Sequence, residues 1–99
     1  TVSTTTPSAV TDDFAILEMI RPTYPSVSEY YEVEGLVTIR ATVEPSGAVA
    51  RVMTLENKAD VFCERAAQQA LLAWQFRPMM VDEKPIWFSV VVPFRFRLE

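Results

Sequence analysis

The 99 residues carry 9 Lys or Arg against 13 Asp or Glu and no histidine, a formal net charge of -4. That length suits one small domain with a single core, and an acidic chain lacks the clustered cations that neutralise phosphates, so no nucleic-acid partner is expected. With no histidine and one cysteine, metal sites, cofactors and an internal disulfide are not expected, no apolar run approaches the ~20 residues of a membrane helix, and no signal-peptide pattern opens the chain.

Thr1 to Asp13 is rich in Thr and Ser with little to bury, the composition of a tether. Phe14 to Ile20 is apolar but fits neither period cleanly, Phe14, Leu17 and Glu18 suggesting a helical turn and Ile16, Glu18 and Ile20 alternation, so residues 1–20 read as a linker end followed by an arm over part of the core. Arg21, Pro22, Thr23, Tyr24 and Pro25 must run extended, because each proline fixes its own φ and biases its predecessor away from helix. Ser26 is placed to cap a short helix to about Val33, with Glu29 completing a capping box, Tyr30 facing inward and Gly35 ending it.

Leu36 to Glu44 alternates, with Val37, Ile39, Ala41 and Val43 on one face and Thr38, Arg40, Thr42 and Glu44 on the other, which predicts a half-buried strand. Pro45, Ser46 and Gly47 supply turn chemistry for a hairpin. Val49 and Val52 are an odd number apart, so both reach the core only through a bulge near Ala50 and Arg51. From Asn57 to Pro78 the spacing predicts a helix with Phe62, Cys63, Ala66, Ala67, Ala70, Leu71, Ala73 and Trp74 toward the core. Asn57 and Asp60 are placed for a capping box, and Pro78 for the stop. Cys63 lies on the apolar face and reads as an inert buried thiol.

Met79 to Pro85 reads as a loop. In the last strand Phe88, Val90, Val92, Phe94, Phe96 and Leu98 share one face and Trp87, Ser89, Val91, Pro93, Arg95 and Arg97 the other; Leu98 and Glu99 read as the scar of an expression tag. Strand, strand, helix, strand then gives an α+β fold, a three-stranded antiparallel sheet of order 2-1-3 over which the helix lies. Placing the last strand beside the second instead would make a parallel pair, slightly less stable per residue. Pro93 belongs on an edge, since a proline inside a sheet breaks a ladder bond. Backbone groups alternate in direction, so Ser89, Val91 and Arg95 would offer unpaired bonds outward.

No catalytic arrangement is present: no histidine base, no Gly-rich phosphate loop, and carboxylate pairs (Asp12 with Asp13, Glu32 with Glu34, Asp82 with Glu83) that read as solvated faces. An enzyme is not expected. The open edge is what remains. Pro93, Arg95 and Arg97 guard part of it, while Trp87 to Val91 is unguarded and suited to accept a partner's strand; the plainer reading is a protected edge and nothing more.

Several spaced signals together resemble the C-terminal domain of the TonB family of energy transducers over about Arg21 to Phe96. These are Pro22 and Tyr24-Pro25, Gly35 before the first strand, the Ser46-Gly47 turn with Val49 and Val52, Ala66 and Ala67 in the helix, then Trp74, Phe76, Pro78, Pro93, Phe94 and Phe96. The resemblance implies a three-stranded antiparallel sheet with two helices on one face, over residues 21–97. It implies a periplasmic domain, anchored in the inner membrane by an N-terminal helix outside these residues and coupled there to ExbB and ExbD. In such domains the last strand captures the TonB box, a short peptide of an outer-membrane receptor, for uptake of iron complexes or other nutrients. Carried over, recognition falls on Phe88, Ser89, Val90, Val91 and Val92, flanked by Trp87 and Arg95, with help from Arg21, Pro22, Thr23 and Tyr24. Arg21 stands where the family often has glutamine, and Asp82-Glu83-Lys84 where it often has a glycine. The alternative is a TonB-like scaffold module, or an edge-to-edge homodimer, without energy transduction.

Overall fold

The computed structural model describes the backbone of residues 2–3 and all of residues 16–98. The elements are β1 (Val2–Ser3), β2 (Ile16–Glu18), α1 (Ser26–Tyr30), β3 (Gly35–Val43), β4 (Val49–Asn57), α2 (Val61–Leu72), β5 (Gln75–Phe76), β6 (Met79–Val81), β7 (Lys84–Ile86) and β8 (Phe88–Leu98). Most of the tether expected over Thr1 to Asp13, and Phe14 after it, lies outside the described residues. Ile16–Glu18 takes the extended alternative and pairs with β5.

The main sheet is antiparallel, in the order β1-β8-β3-β4. Its three long strands reproduce the expected order 2-1-3, and β1 adds a short fourth strand against Arg97 and Leu98. The alternation holds: Val37, Ile39, Ala41 and Val43 of β3 and Val90, Val92, Phe94 and Phe96 of β8 are buried on the helix side. The expected bulge is present as well. Thr42 pairs with Arg51 and Val43 with Val49, so Ala50 is the extra residue that turns both valines inward.

The helices differ in their ends. A second register shift near Leu55 lets β4 run on to Asn57, so Asn57 ends a strand and does not cap. Asp60 caps α2 instead, its Oδ1 accepting from the Cys63 N–H at 2.8 Å. At the other end α2 stops at Leu72, five residues short of Arg77, because the Phe76 N–H is drawn to the Gly47 C=O at 2.8 Å. Gly47 has φ +95, and a Cβ there would lie 2.0 Å from the Phe76 oxygen, so this close approach requires glycine. Val61, Phe62, Leu72 and Ala73 are exposed, correcting the inward placement of Phe62 and Ala73.

α1 begins at Pro25 with no side-chain cap, so Ser26 does not serve as one. Ser28 is the residue that faces inward. Tyr30 is 78% exposed and meets Tyr31 edge-on with ring centroids 4.9 Å apart, because a five-residue helix has only one position turned to the core. Glu32, with φ 54, breaks out of the helix. Gly35 instead opens β3 where a Cβ would lie 2.2 Å from the Lys58 carbonyl oxygen.

Met79 to Pro85, expected as a loop, is most of a hairpin. Met79 pairs with Ile86 and Val81 with Lys84. The turn residues Asp82 and Glu83 have φ 50 and 64, the left-handed pair of a two-residue turn that favours Asn-Gly or Asp-Gly. Glu83→Gly is expected to stabilise this hairpin by about 0.5–1 kcal/mol, read as slower amide exchange across residues 79–86.

Candidate interaction edge

β8 is held from beneath by an aromatic row. Trp74 lies 5.7 Å from Phe94, Phe76 lies 6.1 Å from Phe88, and Tyr24 meets Phe96 edge-on at 5.5 Å. Such edge-to-face contacts fix ring orientation as well as burying area. The Trp74 indole N–H donates to the Ile20 C=O at 2.8 Å, which ties the extended arm to the end of α2. Tyr24 donates its hydroxyl to the Val33 C=O. Burial pushes its phenol up to about 12, with nearby Cys63 and carboxylates acting in the same direction, so it stays a donor at neutral pH.

The direction of the backbone follows from the partners of β3. Leu36 accepts from the Lys58 N–H, so even positions of β3 turn their peptide groups toward β4 and odd ones toward β8. Val37 pairs with Phe94, Ile39 with Val92 and Ala41 with Val90. The even residues of β8 therefore bond to β3, and Ser89, Val91, Pro93 and Arg95 point their backbone groups outward. Pro93 fits because its missing N–H is on the outer side. Among the described residues, no strand lies on this edge between Ser89 and Arg95; β1 meets it only at Arg97 and Leu98.

The residues singled out in sequence thus divide. Ser89, Val91 and Arg95 belong to the outer edge, and Trp87 stands exposed before it. Val90 and Val92 are buried and bonded to β3, and Phe88 packs on Phe76, so these three support the edge from within. Pro22 and Tyr24 are buried while Arg21 and Thr23 are exposed. With Ile20, Ala66, Gln69 and Ala70, the segment 21–23 lines a cleft of about 240 Å³ along α2. Sequence reasoning passed over the β6–β7 hairpin leading into Trp87, because Glu83 stands at the turn position where glycine would have signalled it.

Among the described residues no group of three His, Cys, Asp or Glu side chains could hold a metal ion. Cys63 is fully buried, and burial pushes its thiol up to about 11, leaving no thiolate at neutral pH.

The chain is similar to Protein TonB of Vibrio cholerae, 24% identical over 96 residues, and to Protein TonB of Pseudomonas aeruginosa, 27% identical over 87 residues. Those alignments cover 97% and 88% of this chain but only 39% and 25% of the relatives. The fold matches the solution NMR structure of the Pseudomonas aeruginosa TonB CTD with a TM-score of 0.75 and 25% identity, over 91% of this chain and 92% of that one. The model of the Gram-negative bacterial TonB protein C-terminal family matches residues 20–98, and the chain belongs to that family.

Proposed function

We propose that this chain is the periplasmic domain of a TonB-type energy transducer and binds the TonB box of outer-membrane receptors by adding a peptide strand to the outer edge of β8. The outward-facing backbone from Ser89 to Arg95, unpaired among the described residues and backed by the aromatic row, supports this reading most directly. Membership in the TonB C-terminal family supports the transducer role. The remainder of the protein would hold the inner-membrane anchor and meet the ExbB and ExbD motor, and the domain itself performs no catalysis.

The physics suits a device that grips and lets go. About four to six backbone hydrogen bonds, each worth a net ~0.5–1.5 kcal/mol, give a modest affinity that forms and releases each cycle. Pulled along the strand direction, those bonds share the load. Edge pairing also tolerates variation among receptors, because backbone bonds carry the affinity and side chains only tune it.

Val91→Pro tests the placement. Val91 turns its peptide groups away from β3, as Pro93 already does two positions on, so the fold is expected to survive and one outward donor to vanish. Affinity for a TonB-box peptide, measured by titration calorimetry, is expected to fall about ten-fold. An unchanged affinity with an unchanged melting curve would place the peptide elsewhere. For the transducer role, a full-length chimera carrying this domain is expected to restore receptor-dependent uptake in a strain lacking its own.

A further inference from the structure

The surface just before the edge is apolar. Met80 is 55% exposed and Trp87 57%, and Pro85 between them is exposed too. Met80 stands opposite Pro85 in the hairpin register. Ile86 and Phe88 are half-buried while Pro85, Trp87 and Ser89 are exposed, so the odd positions carry one outward face from the hairpin onto the edge. β6 and β7 form a sheet of their own, separate from the main one. Charges stand at its tip, on Asp82, Glu83 and Lys84, and not on this face. A single exposed hydrophobe is ordinary, but Met80 and Pro85 on one face of the ribbon, Met79 and Val81 exposed on the other, and Trp87 directly after it make the kind of patch that marks a contact.

What it contacts is argued from continuity. A strand paired along Ser89 and Val91 that continues past Phe88 leaves the sheet at Trp87 and runs beside the ribbon. Tryptophan supplies a large rigid anchor, and methionine adapts to differing partner shapes, which suits one domain serving peptides of varied sequence. We propose that Met80, Pro85 and Trp87 form a second subsite for the receptor peptide, taking up apolar residues that immediately flank the strand-paired segment. The proposal rests on the strand-addition reading above.

The test uses a TonB-box peptide in its core form and the same peptide extended at either end by a Leu-rich or a Ser-rich flank. Each is titrated into the whole domain, into Val91→Pro and into the double variant Met80→Ser with Trp87→Ser. These two side chains are exposed, so that variant is expected to melt as the parent does. A Leu-rich flank at one end is expected to tighten binding about ten-fold, the scale of half-burying a tryptophan and a methionine, and a Ser-rich flank to add nothing. The double variant is expected to bind the core peptide and its Leu-extended form with the same affinity, so that the gain is lost. The end that benefits also reports strand direction: the N-terminal flank for a strand parallel to β8, the C-terminal flank for an antiparallel one. No gain from either Leu-rich flank, or a gain that survives in the double variant, overturns the subsite while leaving strand addition standing. A core peptide that fails to bind, or binds Val91→Pro as well as the parent, overturns strand addition and the subsite with it.

Discussion

Trp74→Ala is expected to destabilise the domain by about 3–5 kcal/mol, the range for emptying a large aromatic site in a core. For a domain of this size that corresponds to a fall in Tm of roughly 12–40 °C. Trp74 is 2% exposed and touches Phe76 and Phe94, so its loss opens a cavity under the centre of β8. It also orphans the Ile20 carbonyl, which accepts from the indole N–H. Trp74→Phe separates the two effects, because it keeps a ring and loses the donor. Its cost is expected at about 1–3 kcal/mol, with faster amide exchange around residues 16–24 as the arm loosens.

Asp60→Ala is expected to cost about 1.5–5 kcal/mol, from two losses that share one side chain. Removing an N-cap costs about 0.5–2 kcal/mol, and Asp60 Oδ1 is the acceptor for the Cys63 N–H at the start of α2. Asp60 Oδ2 accepts from the Ser28 hydroxyl at 2.7 Å, and Ser28 is 1% exposed. Without the carboxylate that buried hydroxyl has lost its partner, a penalty of about 1–3 kcal/mol. Adding Ser28→Ala to Asp60→Ala is therefore expected to recover part of the loss in a double-mutant cycle. Ser28 and Asp60 belong to α1 and α2, so the same bond fixes the angle between the two helices.

Acid should remove this contribution in the parent protein. Burial pushes the Asp60 carboxyl upward, but the hydrogen bonds from Cys63 and Ser28 outweigh it and hold the group below its ordinary value of 3.8. A carboxyl depressed in the folded state stabilises fully above its unfolded pKa, and that stability is lost as pH falls through the lower folded value. The gap between the parent and Asp60→Ala in denaturant unfolding is thus expected to be constant near neutrality and to shrink from about pH 4 downward.

The strands were legible because burial imposes a period. Val37, Ile39, Ala41 and Val43, and again Val90 to Phe96, can be sorted into faces without coordinates, and Pro93 identifies both the edge and its phase. Elements decided by tertiary competition were less legible. Asn57 and Asp60 are both good caps, and the choice fell on Asp60 because β4 extends to Asn57. Tyr30 looks like a core residue by type, yet α1 is too short for a period to show, and the small Ser28 takes the inward position so that the helices can approach. The hairpin at Met79–Ile86 was hidden because Asp82 and Glu83 occupy left-handed positions without glycine or asparagine. For the edge, the outward backbone of Ser89, Val91 and Arg95 could be read from Pro93, while the apolar surface beside it could not.

The pairing of β3 with β8, from Gly35 with Phe96 to Val43 with Phe88, joins segments far apart along the chain. Contacts of that range form late and slowly, because the intervening chain must first be brought together. β8 also supplies Val90, Val92, Phe94 and Phe96 to the core, so a chain shortened or stalled within it has a β3–β4 hairpin and α2 but nothing to close them. The strand whose outer side would be read by a partner is thus the same one whose inner side completes the molecule. An immature chain lacks the edge on which the proposed strand addition depends, so folding would act as the check on when that binding becomes available.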